Sequence, residues 1–201
     1  MLEIKKYGNF KNLGKNKNKK QIILCHTSRE ADRYLASLKF RYNEKYDKIP
    51  NFLITKEGTV LQLISEVSHS NILPNEELNQ NAVFICLENL GWLEKKPLSQ
   101  EYISWDGSIY KGKVCEKKWR DYFFWDTYTD EQILKTSELC SQLIENLRIT
   151  KRCVGHNTRL DGVENFLGIT SRSNFSQRYT DLNPSFKFEN FVKLFGNEQF
   201  V

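Results

Sequence analysis

The sequence predicts a single α/β domain, and three observations carry that prediction. Two short runs, Gln21–Cys25 and Ala82–Glu88, are almost wholly apolar, the pattern of strands buried on both faces. Two other segments place apolar residues at helical spacing behind a capping box, the pattern of amphipathic helices packed on such a sheet. With 201 residues, 39% of them apolar, the chain has material for one core and not comfortably for two.

Taken in order, residues 1–20 hold seven lysines against one acid, Glu3, a net of +6 that leaves the other 181 residues at −1. This stretch has no apolar periodicity and reads as a basic flexible leader on a domain spanning 21–201. Gln21–Cys25 is the first buried strand and ends at His26. Thr27-Ser-Arg-Glu30 reads as a capping box with Thr27 as N-cap, opening a helix with Ala31, Tyr34, Leu35 and Leu38 on one face. Phe52–Thr55 and Thr59–Ile64 around Lys56-Glu57-Gly58 read as a hairpin whose glycine takes the left-handed conformation. Ala82–Glu88 is the second buried strand, closed by a carboxylate.

Residues 91–128 hold all four tryptophans and show little regular pattern, so they read as a long irregular insertion with its aromatics on the core or along a cleft. Thr129-Asp-Glu-Gln132 is a second capping box, followed by the stripe Ile133, Cys140, Leu143, Ile144 and Leu147 of a helix of about five turns. Cys153–His156 reads as a short strand, and a closing helix falls near Glu189–Phe195.

Composition narrows the function. No stretch approaches the ~20 apolar residues of a membrane helix, and the N-terminus lacks the apolar core of a secretory signal, so synthesis in the cytoplasm without membrane insertion is expected. A basic leader on a near-neutral body is not the footprint of a nucleic-acid binder. Five cysteines, with no CxxC pair and four inside apolar runs, read as buried free thiols.

The three histidines, His26, His69 and His156, lie outside every helical stripe, and two of them end expected strands. In open α/β sheets ligands bind at the carboxyl ends of strands. Two imidazoles and a carboxylate there, with an open position for water and a second carboxylate as base, describe a mononuclear zinc hydrolase. Residue types alone leave the third ligand open among Asp161, Glu164, Asp181 and His69.

Six segments then carry a resemblance. Ile-Ile-Leu-Cys-His-Thr (22–27), Asn-Phe-Leu-Ile-Thr-Lys-Glu-Gly-Thr-Val (51–60), Ile-Cys-Leu-Glu-Asn-Leu-Gly (85–91), Tyr-Thr-Asp-Glu-Gln (128–132), Val-Gly-His-Asn (154–157) and Tyr-Thr-Asp-Leu-Asn-Pro-Ser-Phe (179–186) follow one another here. In that order the chain resembles the zinc-dependent N-acetylmuramoyl-L-alanine amidases, which share their fold with peptidoglycan recognition proteins and phage endolysins. The resemblance implies a central mixed β-sheet flanked by α-helices, with a zinc cleft along one sheet edge. It implies zinc held by His26, His156 and Asp181, Glu88 as general base, and His69 bordering the substrate groove. The implied substrate is peptidoglycan, cut between N-acetylmuramic acid and L-alanine by a monomer acting on the bacterial wall, as a phage lysis enzyme does.

Two departures stand out. His156 and Asp181 are 25 residues apart, with 160–178 inserted, whereas the family spaces them by about ten; Glu164 has the usual spacing and is the rival ligand. Where many members have a lysine two residues before the third ligand, this chain has Tyr179, with Arg178 beside it as a substrate contact. In an extended segment Tyr179 shares a face with Asp181, so its phenol or His69 is the expected oxyanion donor. Two other classes compete: a recognition module that binds muropeptide without cutting, and a cysteine hydrolase built on Cys25 or Cys86.

Overall fold

The computed structural model describes residues 2–10, 13–41 and 46–195. Among these residues the strands are β1 (Ile4–Lys6), β2 (Gln21–His26), β3 (Phe52–Ile54), β4 (Val60–Gln62), β5 (Ala82–Leu87), β6 (Trp92–Lys95), β7 (Tyr102–Ser104), β8 (Ile109–Tyr110), β9 (Val114–Trp119), β10 (Tyr122–Asp126) and β11 (Gly168–Ser171). The helices are α1 (Ala31–Phe40), α2 (Glu76–Asn81), α3 (Asp130–Leu147) and α4 (Phe188–Phe195). A six-stranded sheet in the order β1-β4-β3-β5-β2-β11 is mixed, with β3 and β4 antiparallel and the other neighbours parallel.

Every residue of β2 and β5 is buried, and side-chain alternation explains why these strands read as continuous apolar runs. Ile22 and Leu24 of β2 join Val83 and Ile85 of β5 in the cluster beneath α3 and α4. Cys25 and Cys86 face the other way, into the cluster beneath α1. With helices on both faces, polar residues have no exposed face to occupy. The β3–β4 hairpin forms as its sequence predicts, with Gly58 at φ +82°. Thr129 caps α3 reciprocally with Gln132, again as expected.

Four sequence expectations are corrected. Residues 91–126 are not irregular: they form a five-stranded antiparallel sheet in the order β8-β7-β6-β10-β9. Its strands are short and partly exposed, so they lack the long apolar runs that reveal the central sheet. It is tied to the main sheet through Asp126, wholly buried, whose carboxylate accepts from Lys56 Nζ, from the Tyr110 hydroxyl at 2.6 Å and from the Leu90 N–H at 2.7 Å. Second, Cys25 and Cys86 stand opposite one another in register and are joined as a disulfide, leaving Cys115, Cys140 and Cys153 as thiols. Third, α1 starts at Ala31, and Thr27 does not cap it; the Thr27 hydroxyl donates to the Arg29 carbonyl instead.

The fourth correction concerns the leader. β1 runs parallel to β4 at the sheet edge, and Leu2 and Ile4 pack on the main core, too short a stretch to show as a period. Lys19 is 3% exposed and donates to the carbonyls of Ser68 (2.9 Å), Gln80 (2.8 Å) and Ala82 (2.9 Å). Within residues 1–20 at least this one lysine is an internal clamp and not a solvated charge.

Lys19→Met leaves three carbonyls without their donor and should destabilise the protein by about 1–3 kcal/mol in denaturant unfolding at neutral pH. Burial pushes the Lys19 amine down to about 8 from 10.5. Between those values the unfolded chain binds more protons than the folded one, so the stability of the natural protein should rise with pH across that window relative to Lys19→Met. A difference independent of pH from 7 to 10 would remove Lys19 as its source.

Candidate active site

His26 closes β2, is 5% exposed, and pairs with Leu87 of β5. Gly91 crowds its ring: a Cβ there would lie 3.0 Å from His26 Cε1, and the backbone at Gly91 has φ +82°, which glycine alone adopts freely. The ring Nδ1 is buried and has no hydrogen-bond partner. Burial pushes the imidazole below its ordinary value; the Asp181 carboxylate opposes that lowering and the Arg172 guanidinium adds to it. Burial thus favours the neutral form of the His26 imidazole.

Asp181 lies beside it, wholly buried. Arg172 Nε stands 3.1 Å from Oδ1 and 2.8 Å from Oδ2, and the backbone N–H of His26 donates to Oδ2 at 3.2 Å. Burial alone would lower the Arg172 guanidinium, but the charge and hydrogen bond of the Asp181 carboxylate, with Tyr179 and Tyr34, more than offset this and raise it. The same guanidinium lies over the Tyr179 ring, 4.7 Å from its centroid. His26, Arg172 and Tyr179 line a cavity of about 300 Å³, whose wall also carries Arg29, Arg41 and Lys48. Among the described residues that wall holds four cationic side chains and no carboxylate.

The other expected site residues are placed elsewhere. Cys153 makes a single bridge to Ile169, so the strand expected to end at His156 is not formed; the chain turns away after Val154. The His156 loop is held next to the Asp181 segment, since Asn174 Nδ2 donates to the His156 carbonyl at 3.0 Å and Asn157 Nδ2 to the Leu182 carbonyl at 2.8 Å. Its imidazole serves its own loop, Nδ1 accepting from the Thr158 N–H at 3.2 Å, and does not line the His26 cavity. His69 packs against Gly14, and burial first, then the Lys19 ammonium, pushes its imidazole below the ordinary value. Arg178 is exposed and lines a different cavity, with Leu78 and Phe175. The rival ligands are outside the site as well: Asp161 pairs with Arg159 at 2.9 Å, and Glu164 is exposed in a single 3₁₀ turn.

Glu88 has a different neighbourhood from the one expected. Its Oε1 accepts from the Ala31 N–H at 2.9 Å, at the N-terminus of α1, and its Oε2 from the Lys56 N–H at 2.8 Å. It supplies from a distance the cap that Thr27 was expected to give, and it faces the adjoining cavity with Lys56, Tyr110 and Asp126. Arg29 lines both cavities.

The donors can be tested against the implied zinc ion. His26 fits, with an unpartnered buried nitrogen. Asp181 as placed does not, because a guanidinium already stands 2.8 Å from one of its oxygens, and His156 is turned to its own loop. Among the described residues no three His, Cys, Asp or Glu side chains form a group that could hold a metal ion. The arrangement does not fit zinc.

Residues 15–165 match the family model described as N-acetylmuramoyl-L-alanine amidase. The chain belongs to that family of enzymes. His26, Glu88 and His156 fall within the match, whereas Arg172, Tyr179 and Asp181 lie beyond it. Among solved structures, the chain is similar to the N-acetylmuramoyl-L-alanine amidase LysC from Clostridium intestinale, at 14% identity over 98% of this chain and 99% of that one, with a TM-score of 0.60. The endolysin amidase LysCS from the same organism gives 0.61 at 14% identity over 98% of both chains. The E. coli amidase AmiD, solved with anhydro-N-acetylmuramic acid-L-Ala-D-γ-Glu-L-Lys as substrate, gives 0.56 at 15% identity over 90% of this chain and 59% of that one. No curated protein matches.

Glu88→Gln removes the charge that caps α1 and one of two fixed acceptors. It should lower stability by about 1 kcal/mol, read as a fall in melting temperature. An unchanged melting temperature would show that the carboxylate charge at the start of α1 carries no stability.

Proposed function

We propose that this chain is a peptidoglycan amidase of the lysis-enzyme kind, hydrolysing the amide between the lactyl group of N-acetylmuramic acid and the L-alanine of the stem peptide. The observation that carries the reading is the family match over 15–165 together with a buried histidine, its Nδ1 unpartnered, on the wall of a cavity at the carboxyl end of β2. Hydrolysis of an amide needs positive charge or a donor for the developing oxyanion and an acceptor for the proton of the attacking water. On the cavity wall Arg172 supplies fixed positive charge, the Tyr179 phenol a donor, and neutral His26 an acceptor. Glu88 serves α1 in this reading and stands one cavity away. The family resemblance brings zinc to the reading; the present arrangement of Asp181 and His156 does not, and the roles above belong to the chain's own residues. Similarity in fold to LysC and LysCS supports action on the bacterial wall. No helix of the described residues is long and apolar enough to cross a membrane.

One observation favours the rival reading, a module that binds muropeptide without cutting: the carboxylate that would complete a metal site is occupied by Arg172. A single digest separates the two. Purified peptidoglycan incubated with the protein should release stem peptides with a free L-alanine amine, seen by mass spectrometry with glycan strands left intact. Retention of the protein on peptidoglycan with no new N-terminal alanine would overturn the amidase and leave the binding module.

A further inference from the structure

The segment that separates His156 from Asp181 delivers a cation to the site. β11 of this insertion pairs with β2 along four residues, and the turn after it, Arg172–Asn174, starts where β11 ends. That pairing brings Arg172 to the end of β2, beside His26. Three independent contacts then fix it: the Asp181 carboxylate on Nε, the Tyr179 ring against the guanidinium plane, and the backbone of the same turn, whose Ser173 N–H donates to the Asp181 carbonyl at 2.8 Å. Asp181 is held from both sides, by Arg172 and by the His26 N–H. Its charge is matched within the protein.

The rest of the cavity points the same way. Arg29 lies over Trp105, whose indole N–H donates to the Ser28 carbonyl at 2.6 Å, so the Arg29 loop is propped at the rim. Arg41 and Lys48 line the same cavity. Among the described residues the wall carries four cations, of which Arg172 is matched by the buried Asp181, and no acid, a lining that favours an anion over a divalent metal ion. A guanidinium steadied by a buried carboxylate is a common way to bind a carboxylate, since its planar N–H groups match the two oxygens.

We propose that the His26 cavity is a carboxylate-binding site whose fixed charge is Arg172 anchored by Asp181, so that in this chain Asp181 serves Arg172 and is not a metal ligand. The identity of the ligand rests on the proposed function: a stem peptide such as L-Ala-D-γ-Glu-L-Lys carries a free α-carboxylate on the γ-linked glutamate and another at its end. Replacing those carboxylates by carboxamides removes the charge and little else. The site therefore distinguishes free from amidated stem peptides.

The test uses the full chain, as natural protein, Arg172→Met, Asp181→Asn and the double variant, which buries no unmatched charge if either single variant folds poorly. Calorimetry at low salt should show the natural protein binding L-Ala-D-γ-Glu-L-Lys at least tenfold more tightly than its carboxamide form. That preference should fall as salt screens the cations and vanish in Arg172→Met and in the double variant. Elemental analysis after zinc exposure should give Asp181→Asn the same zinc content as the natural protein. The melting temperature should fall in each single variant by more than in the double. Equal affinity for the two peptide forms would overturn the carboxylate site. Loss, in Asp181→Asn alone, of zinc that both the natural protein and Arg172→Met retain would overturn the role given to Asp181. None of these readouts needs catalysis, so a failed peptidoglycan digest and a failed anion site are distinguishable.

Discussion

The buried pair of Arg172 and Asp181 is the interaction on which the arrangement of the site depends. Neither member is near its partner in the sheet: Arg172 follows the edge strand β11, and Asp181 belongs to the segment leading to α4. Bringing them together folds the 160–182 stretch back across the end of β2. A charge removed from water is tolerated only with its counter-charge and hydrogen bonds in place. The His26 N–H completes that set, which makes the end of β2, the insertion and the chain entering α4 one unit. Removing either charge leaves the other stranded.

A second buried carboxylate does for the outer sheet what Asp181 does for the insertion. Asp126 ends β10 and gathers Lys56 from the β3–β4 turn, Tyr110 from β8 and the backbone of Leu90. Its backbone carbonyl also accepts from Asn89 and Asn183, so the chain past Asp181 meets the outer sheet at the same point. Glu88 lies between the two systems and holds the start of α1 against the β3–β4 turn. Three carboxylates in series thus replace apolar contact where the sheet's carboxyl ends are open. Polar joints keep those ends accessible while the apolar clusters fill the two faces.

The layers were legible in the sequence where a periodic apolar pattern reports burial. β2 and β5 are buried on both faces, so each residue carries the signal; α3 shows both its cap and its stripe. His26 was legible because it ends such a strand. The outer sheet was not, since strands of two to six residues with one open face mix aromatic and charged side chains without a stable alternation. β1 escaped notice because its pairing depends on β4, far along the chain. Arg172 was invisible for a different reason: a lone arginine among serines and asparagines looks solvated, and only β11 pairing with β2 turns it inward. The expectation that Glu88 aims at the same cavity as His26 followed from both residues ending neighbouring strands, but the backbone N–H groups of Ala31 and Lys56 take its carboxylate first.

The two margins of the central sheet have a consequence for how copies of the protein meet. An edge strand offers unpaired N–H and C=O groups, and a long flat one recruits a strand from another chain. Here the margins are β1, three residues with Lys5 and Lys6 exposed, and β11, four residues whose outer side is already bonded to residues 152–154 at Ile169 and which are followed at once by the turn that carries Arg172. β1 exposes too short a ladder to template a partner, β11 has its middle already taken by the 152–154 segment, and a second copy approaching β1 would bring lysine against lysine. The chain thus carries its guard against strand-to-strand aggregation in the same two segments that its sequence made look like a loose tail and an irregular insertion.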